Sequence, residues 1–198
     1  MAKAIFGGTF DPVHLGHLAM AESAVKQFDL SEIIVVPNGN PPHKSDLHIT
    51  EFAHRYNMLC LGFKGMENVV VSDYEANEDK PSYSVYTMRY FRTLCGEDTY
   101  FIIGADSLMS IHKWYDYKNL IKENKFIVFK RDGDTALEDR GNTLCSEGAE
   151  IYISKMPEVN VSSTEVRARI AKGLSCNGLL KADVIDYIIQ NGLYGGIK

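Results

Sequence analysis

The feature that most constrains the fold is a regular alternation of short apolar runs with longer segments of helical periodicity. Residues 33–36 and 100–103 are rich in β-branched and aromatic residues, which is typical of buried strands. Apolar residues recur at helical spacing over 15–28, and helices are also predicted over 51–64 and 83–94. This repetition predicts an α/β fold, a doubly wound parallel sheet with helices on both faces.

The chain is predicted to form a single domain over residues 1–198, a length that can bury a full core. It has no internal repeat and no linker-like segment. Residues 131–149 are polar and contain glycine, so they are interpreted as a surface loop. Helices over 163–172 and 182–190 are predicted to make a C-terminal helical end.

Composition and charge exclude several classes of function. The net charge of −5 leaves no broad basic surface for nucleic acid, so no nucleic-acid partner is expected. The first residues lack a long apolar stretch and no run approaches membrane-spanning length, so a cytoplasmic protein without a membrane partner is expected. We leave the oligomeric state open, with a homodimer as one option. The cysteines lie far apart without a CxxC pair and are interpreted mostly as packing residues: Cys60, Cys95, Cys145 and Cys176.

The first apolar run leads directly into residues 7–17, which read GGTFDPVHLGH. Two glycines after a strand let the backbone approach a bulky anion, and the following helix adds partial positive charge at its N-terminus. His14 and His17 are three residues apart, so both imidazoles are predicted to share one face and to donate hydrogen bonds to a phosphate. Two structural histidines, or part of a zinc site, are the alternatives that these residues leave open.

A second segment with phosphate-binding character, VSSTEVR, occupies residues 161–167. It is predicted to open a helix whose free N–H groups and three hydroxyls receive a triphosphate, with Arg167 one turn along. Taken alone, Ser162 and Glu165 also match an ordinary capping box. The segment by itself therefore does not decide between a triphosphate-binding site and a helix cap.

Together the two segments resemble the GxFxPxHxGH and ISSTxxR signatures of the nucleotidyltransferase superfamily. The resemblance implies a Rossmann-like fold, binding of ATP, and catalytic roles for His14, His17 and Arg167. The ATP-binding residues that it implies are Gly7, Gly8, Thr9, Phe10, His14, His17, Gly104, Asp106, Ser162, Ser163, Thr164 and Arg167.

Three middle segments resemble bacterial nicotinate-nucleotide adenylyltransferases: PNGNPPHK at 37–44, PSYS at 81–84, and GADSL at 104–108 followed by Trp-Tyr. The resemblance implies that tryptophan stacks on the pyridine ring, and that a hydroxyl with the backbone near the tyrosine receives the acceptor carboxylate. Serine replaces the family's threonine at position 84, and Tyr86 stands where many relatives carry aspartate. The implied acceptor-binding residues are Lys44, Ser84, Asp106, Trp114 and Tyr115.

The reaction implied by this resemblance joins ATP and nicotinate mononucleotide by in-line displacement. The acceptor phosphate attacks the α-phosphorus, pyrophosphate leaves, and deamido-NAD is formed. Mg²⁺ is the expected cofactor, bound mainly through the phosphates of ATP, so no protein metal ligands are expected. Catalysis would rest on positioning and charge stabilisation, without a covalent intermediate.

The sequence is also compatible with other activities. A sister enzyme acting on phosphopantetheine, a cytidylyltransferase, or an enzyme that uses nicotinamide mononucleotide would share the first signature. A non-catalytic nucleotide-binding module on the same fold is the alternative from a different class. Arg55 and Arg131 receive no functional role, and Arg55 is interpreted as one partner of a helix ion pair.

Overall fold

The computed structural model describes residues 2–40, 49–76, 81–130, 135–155, 159 and 161–195. Its strands are β1 Lys3–Gly8, β2 Glu32–Pro37, β3 Val69–Val71, β4 Thr99–Gly104, β5 Lys125–Lys130 and β6 Glu150–Lys155. Its helices are α1 Leu15–Phe28, α2 Phe52–Phe63, α3 Ser84–Cys95, α4 Ala105–Ser110, α5 Tyr117–Glu123, α6 Thr135–Ser146, α7 Ser163–Ala171 and α8 Ala182–Gln190. Short 3-10 turns occupy Ile111–Lys113 and Leu193–Gly195.

The six strands form one parallel sheet in the order β3-β2-β1-β4-β5-β6. The chain starts in the middle, runs outward to β3, then returns to place β4 against the other side of β1. Phe6 of β1 is therefore paired with Val35 on one side and with Ile102 on the other. The order of the strands reverses between β1 and β4, and in open α/β sheets ligands bind beyond the carboxyl ends of the strands at such a point.

Alternating side chains of the buried strands build two separate cores. Ala4 and Phe6 point to the core that contains residues of α1, α2, α7 and α8. Ile5, between them, belongs to the opposite core, which contains residues of α3, α4, α5 and α6. Both faces of the sheet are covered, so β1, β2, β4 and β5 carry apolar residues at consecutive positions rather than at alternating ones. The predicted doubly wound α/β fold is confirmed.

The prediction of a surface loop over 131–149 was wrong, because residues 135–146 form α6. This helix buries Leu137, Gly141 and Leu144, which recur at helical spacing among polar residues. A Cβ at Gly141 would lie 3.0 Å from Cδ1 of Ile153, so the glycine permits close packing of α6 on β6. Gly141, a glycine of the kind that suggested a loop, thus serves helix packing.

The cysteines are only partly the packing residues that were expected. All four are free thiols, but Cys60 and Cys145 are exposed, and only Cys176 is buried. Two short helices, α4 and α5, were also not predicted. At six and seven residues they are too short for a helical period to emerge from the sequence.

Candidate active site

A cleft of about 1010 Å³ opens at the carboxyl ends of the central strands. The loops after β1 and β4 and the first turns of α3 and α7 line it, as the switch point of the sheet predicts. Lys44 lies outside the described residues. Every other predicted site residue lines this one cleft: Gly7, Gly8, Thr9, Phe10, His14, His17, Ser84, Gly104, Asp106, Trp114, Tyr115, Ser162, Ser163, Thr164 and Arg167.

The loop after β1 is fixed by an unusual backbone and by aromatic contacts. Phe10 adopts a left-handed conformation with φ of 50°, and the Asp11–Pro12 peptide bond is cis. The Phe10 ring packs edge-on against Phe6, at 5.2 Å between centroids, and against His17, at 4.9 Å. A non-glycine residue in this region costs about 1–3 kcal/mol and persists where its surroundings hold it. Here the aromatic cluster holds the loop against the cleft.

The two histidines at the start of α1 are stacked on each other. Their ring centroids are 3.7 Å apart and the planes differ by 20°. The backbone N–H of His14 donates to Nδ1 of His17 at 3.2 Å. Because Nδ1 accepts this bond, the neutral imidazole of His17 carries its proton on Nε2, which leaves Nε2–H as a donor.

His17 is also held in its uncharged form. Burial lowers its pKa well below the ordinary value of 6.5, and the neighbouring His14 lowers it further. The side chain nevertheless keeps some exposure where it lines the cleft. A neutral donor at this position can bind a phosphate oxygen without changing charge near neutral pH.

Asp11 connects the two signatures with the C-terminal end of the chain. Its carboxylate accepts hydrogen bonds from the Tyr194 hydroxyl at 2.5 Å and from the Thr50 N–H at 3.2 Å. Its backbone carbonyl accepts a bond from Nη1 of Arg167 at 2.6 Å. Asp11 is buried. Sequence reasoning did not single it out, although it stands inside the first signature.

The second signature places α7 at the edge of the cleft. Ser162 caps the helix, its Oγ accepting the Glu165 N–H at 3.2 Å, so the capping half of the sequence interpretation is confirmed. The Ser163 hydroxyl donates to the Pro12 carbonyl at 2.9 Å, which ties α7 to the first loop. Nη2 of Arg167 lies 3.5 Å from the Thr164 hydroxyl. The hydroxyls of Ser162 and Thr164 keep their protons for a ligand, whereas that of Ser163 is engaged within the protein.

The far end of the cleft is formed by α3 and by the turns after β4. Ser84 is the first residue of α3, and Trp114 is half-buried with its ring 6.4 Å from that of Phe101. Asp106, in the first turn of α4, is exposed. Among the described residues, chain neighbours apart, a Cβ at Gly104 would meet no atom within 4 Å. Packing against the protein therefore does not require glycine at this position. The missing side chain instead leaves space in the cleft.

A buried carboxylate, Glu75, was missed by sequence reasoning. It accepts the Thr87 hydroxyl at 2.5 Å and lies 3.4 Å from the side-chain amide of Asn38. It also lines the cleft. A Cβ at Gly39 would fall 1.8 Å from the Glu75 carbonyl oxygen, so only glycine allows these two segments to approach. No local pattern in the sequence announces this contact.

Arg55, in α2, is a buried arginine beneath the cleft. Only 1% of it is exposed. The guanidinium donates to carbonyls on three different segments, at 2.7 Å to Thr50, 3.1 Å to Thr9 and 2.7 Å to Asn38. Arg55 therefore holds the loops after β1 and β2 together beneath the cleft.

The described residues offer no group of three or more His, Cys, Asp or Glu side chains that could hold a metal ion. The zinc alternative for the histidine pair thus lacks a third ligand within the part of the chain that the structure describes. In the same part of the chain, no helix has both the length and the apolar character needed to cross a membrane.

The comparisons with known proteins agree with this geometry. The cytidylyltransferase-like family model matches residues 5–169. The chain belongs to the cytidylyltransferase-like family. It is 40% identical over 196 residues to a protein of Clostridium tetani named "Probable nicotinate-nucleotide adenylyltransferase", covering 97% of this chain and 98% of the relative. A protein of Thermotoga maritima with the same name is 36% identical, covering 91% of this chain and 87% of the relative.

The same fold occurs in solved structures of other proteins. Nicotinic acid mononucleotide adenylyltransferase of Plasmodium falciparum, complexed with NaAD, superposes with a TM-score of 0.79 at 24% identity, with 98% of each chain covered. A Vibrio parahaemolyticus protein described as a putative nicotinate-nucleotide adenylyltransferase gives a TM-score of 0.66 at 18% identity, covering 98% of this chain and 96% of that one. The family and the Rossmann-like fold expected from the sequence are thereby confirmed.

Proposed function

We propose that this protein transfers the adenylyl group of ATP to nicotinate mononucleotide, giving deamido-NAD and pyrophosphate in NAD biosynthesis. The observation that carries the proposal is the convergence of both signatures and the acceptor segments on one cleft. Relatives at 36–40% identity that carry the corresponding name support it. The signature residues are intact, which argues against a non-catalytic binding module.

The chemistry is a direct displacement at phosphorus. A phosphate oxygen of the acceptor forms a bond to the α-phosphorus of ATP, and the bond from that phosphorus to the bridging oxygen breaks. Pyrophosphate departs with the electron pair. A phosphate monoester is already ionised near neutral pH, so the protein need not remove a proton from the nucleophile. Its task is to align the two substrates and stabilise the charge on the phosphates.

The phosphates of ATP are assigned to the edge of the cleft where α1 and α7 begin. Arg167 brings a permanent positive charge there and is held in place by its bond to the Asp11 carbonyl. The first N–H groups of a helix have no partner within it, so Ser163 and Thr164 offer backbone donors for the β- and γ-phosphates. The hydroxyls of Ser162 and Thr164 add two further donors.

His17 is assigned to the reacting phosphate. Its Nδ1 is occupied by the His14 N–H, so Nε2–H is the donor, and its lowered pKa keeps the ring neutral. A fixed neutral donor stabilises the charge that develops on phosphate oxygens in the transition state. His14, stacked on His17, contributes the second imidazole at the same place.

The acceptor is assigned to the opposite end of the cleft. Trp114 provides an aromatic surface for the pyridine ring, and Ser84 with the backbone near Tyr115 provides donors for its carboxylate. Asp106 and the open space at Gly104 are assigned to the riboses and the adenosine. Lys44, outside the described residues, keeps its assignment to the acceptor as a prediction.

Mg²⁺ fits this arrangement as an ion carried by ATP. Two of the carboxylates that line the cleft, Asp11 and Glu75, already accept hydrogen bonds from the protein, and the described residues contain no metal-binding cluster. Phosphate oxygens and water would then supply most of the ligands, and Mg²⁺ typically keeps several waters in such sites. When bound, it would neutralise part of the triphosphate charge.

We also propose that residues 1–198 form one domain that acts in the cytoplasm. The support for one domain is that a single sheet runs through the chain from β1 to β6, and that a relative matches over 97% of its length. Expression in a bacterium, followed by fractionation, would contradict the assigned compartment if the protein appeared outside the cytoplasm.

The test is pyrophosphate release with ATP and Mg²⁺ and three acceptors in parallel: nicotinate mononucleotide, nicotinamide mononucleotide and phosphopantetheine. We expect strong preference for nicotinate mononucleotide, and we expect Ser84→Ala to reduce the preference for acid over amide because it removes a donor to the carboxylate. Ser146→Ala, at a hydroxyl that donates to the Thr143 carbonyl on α6 and does not line the cleft, is the control.

Preference for the amide or for phosphopantetheine would keep the mechanism but overturn the proposed acceptor. Binding of ATP without turnover on any of the three would overturn the assignment as an enzyme and favour a binding module.

A further inference from the structure

The turn that carries Trp114 and Tyr115 forms backbone hydrogen bonds with residues close to it in sequence. The Trp114 N–H donates to the Ile111 carbonyl at 2.9 Å, and the Tyr117 N–H donates to the Trp114 carbonyl at 3.3 Å. Asp116, which follows, adopts a left-handed conformation with φ of 52°. A short turn of this kind depends on side-chain contacts with other elements to fix its position.

Helix α3 supplies those contacts through its first turn. The Tyr86 hydroxyl donates a long hydrogen bond of 3.4 Å to the Tyr115 hydroxyl, and the two rings are 5.9 Å apart. The Tyr83 ring lies 4.3 Å from that of Tyr115, between centroids. The bond from Tyr86 is the largest of several influences that raise the pKa of Tyr115.

A second contact lies one turn further along the same face of α3. Nη2 of Arg89 is 2.7 Å from the Glu123 carboxylate and 3.7 Å from that of Asp116. Residues three apart on a helix share a face, so Tyr86 and Arg89 contact the 114–116 turn and the end of α5 from the same side. We call the Tyr86–Tyr115 and Arg89–Asp116 contacts the α3 clasp.

The clasp joins the two parts of the acceptor end. Ser84, the first residue of α3, stands two positions before Tyr86, while Trp114 stands directly before Tyr115. A ligand bound by both parts needs a fixed separation between them. Tyr86 is 48% exposed, so core packing does not explain a tyrosine at this position.

We propose that Tyr86 is a positioning residue for the acceptor: by holding Tyr115 it sets the 114–116 turn against the start of α3, and so determines how tightly the nicotinate end binds. This rests on the proposed function. The effect is confined to the acceptor, because the ATP phosphates are assigned to the other end of the cleft.

The test is steady-state kinetics of pyrophosphate release, varying ATP and nicotinate mononucleotide separately. Because an aromatic pair stabilises the contact that it makes, Tyr86→Ala should raise the KM for the acceptor by about 2- to 10-fold. We expect kcat and the KM for ATP to stay within about twofold of the unaltered protein. Tyr86→Phe keeps the ring contact and loses only the long hydrogen bond, so its effect should be smaller.

Tyr90→Ala is the matched control. Tyr90 is an exposed tyrosine on the same helix, but its ring stacks on Tyr74 at 4.1 Å, whereas that of Tyr86 contacts Tyr115. It should leave the acceptor KM unchanged. Equal rises in both KM values, a loss of kcat alone, or an acceptor KM in Tyr86→Ala equal to that of Tyr90→Ala would overturn the positioning role. No turnover by the unaltered protein would overturn the proposed function, and this inference with it.

Discussion

The hydroxyl of Tyr194 donates to the carboxylate of Asp11 at 2.5 Å, across 183 residues of sequence. Tyr194 adopts a left-handed conformation in the last 3-10 turn, and burial and the Asp11 charge raise the pKa of its hydroxyl. The carbonyl of the same Asp11 holds Arg167. The end of the described chain thus supports the loop that carries residues assigned to the phosphates of ATP.

Removing this bond should destabilise the protein and disturb the site. Tyr194→Phe leaves one oxygen of a buried carboxylate without its donor, which costs about 1–3 kcal/mol in free energy of unfolding. We also expect a lower kcat, because Asp11 positions Arg167. Denaturant unfolding and pyrophosphate release measure the two effects.

A matched control is available on the surface. Tyr152 also donates to a carboxylate at 2.5 Å, that of Glu150, but the contact is exposed. Tyr152→Phe should change the free energy of unfolding by less than about 0.5 kcal/mol. Similar losses in both variants would show that burial of Asp11 is not what makes its bond important.

His17→Asn tests the catalytic assignment without removing the helix cap. The asparagine Oδ1 can still accept the His14 N–H, whereas the Nε2 donor is lost. We expect kcat to fall by about 100-fold or more, the typical loss of one well-placed transition-state donor, while the fold survives. His112→Asn, at an exposed histidine outside the cleft, should retain turnover. Near-normal kcat in His17→Asn would remove His17 from the mechanism.

The same residue should make stability depend on pH. In the folded protein the pKa of His17 lies well below 6.5, whereas in the unfolded chain it returns to about that value. Below pH 6.5 the unfolded chain therefore binds a proton at His17, whereas His17 in the folded protein stays neutral. Stability from this group is complete above pH 6.5 and declines as the pH falls towards the folded pKa, by at most about 1.4 kcal/mol per pH unit.

The measurement is the free energy of unfolding of the unaltered protein and of His17→Asn between about pH 5.5 and 8, because histidine titrates in this range. The difference between the two proteins should shift in favour of the variant as the pH falls. Parallel curves would mean that His17 titrates normally in the folded state.

Arg167 should not tolerate lysine. Its guanidinium donates to the Asp11 carbonyl through Nη1 and keeps further N–H groups for phosphate, a combination that a single ammonium group does not reproduce. We expect Arg167→Lys to lower kcat by about 10- to 100-fold, or about 1.4–2.7 kcal/mol of transition-state stabilisation. Arg169→Lys is the control, because Arg169 lies on the same helix and donates to the Ser175 carbonyl. Equal effects would point to damage to α7 in general.

The sequence predicted which residues line the cleft better than it predicted the contacts that support them. The residues of the first signature lie within one loop and the first turn of α1, so their spacing along the chain already brings His14 and His17 together. Alternation of strands and helices predicted the topology because parallel strands require crossover connections. Both are local patterns that a single sequence displays.

Long-range pairs leave no such pattern. Nothing near Tyr194 indicates Asp11, and nothing near Glu75 indicates Thr87 or Asn38, because these pairs are brought together only by the folded sheet. The charge of Arg55 favoured a surface position, since arginine is rarely buried. Its burial is sustained by backbone carbonyls, which every residue carries and which no sequence pattern reports.

Arg55 therefore provides the last prediction. Arg55→Lys keeps the charge but loses the planar fork that donates to several carbonyls at once, so two or more charge-assisted hydrogen bonds are broken. Each contributes about 1.5–3 kcal/mol, so the free energy of unfolding should fall by at least about 3 kcal/mol. Arg92→Lys, at a partly buried arginine that donates to the Glu123 carbonyl, should cost less in the same denaturant titration. If the two variants were equally stable, Arg55 would not be what holds the loops after β1 and β2 beneath the cleft.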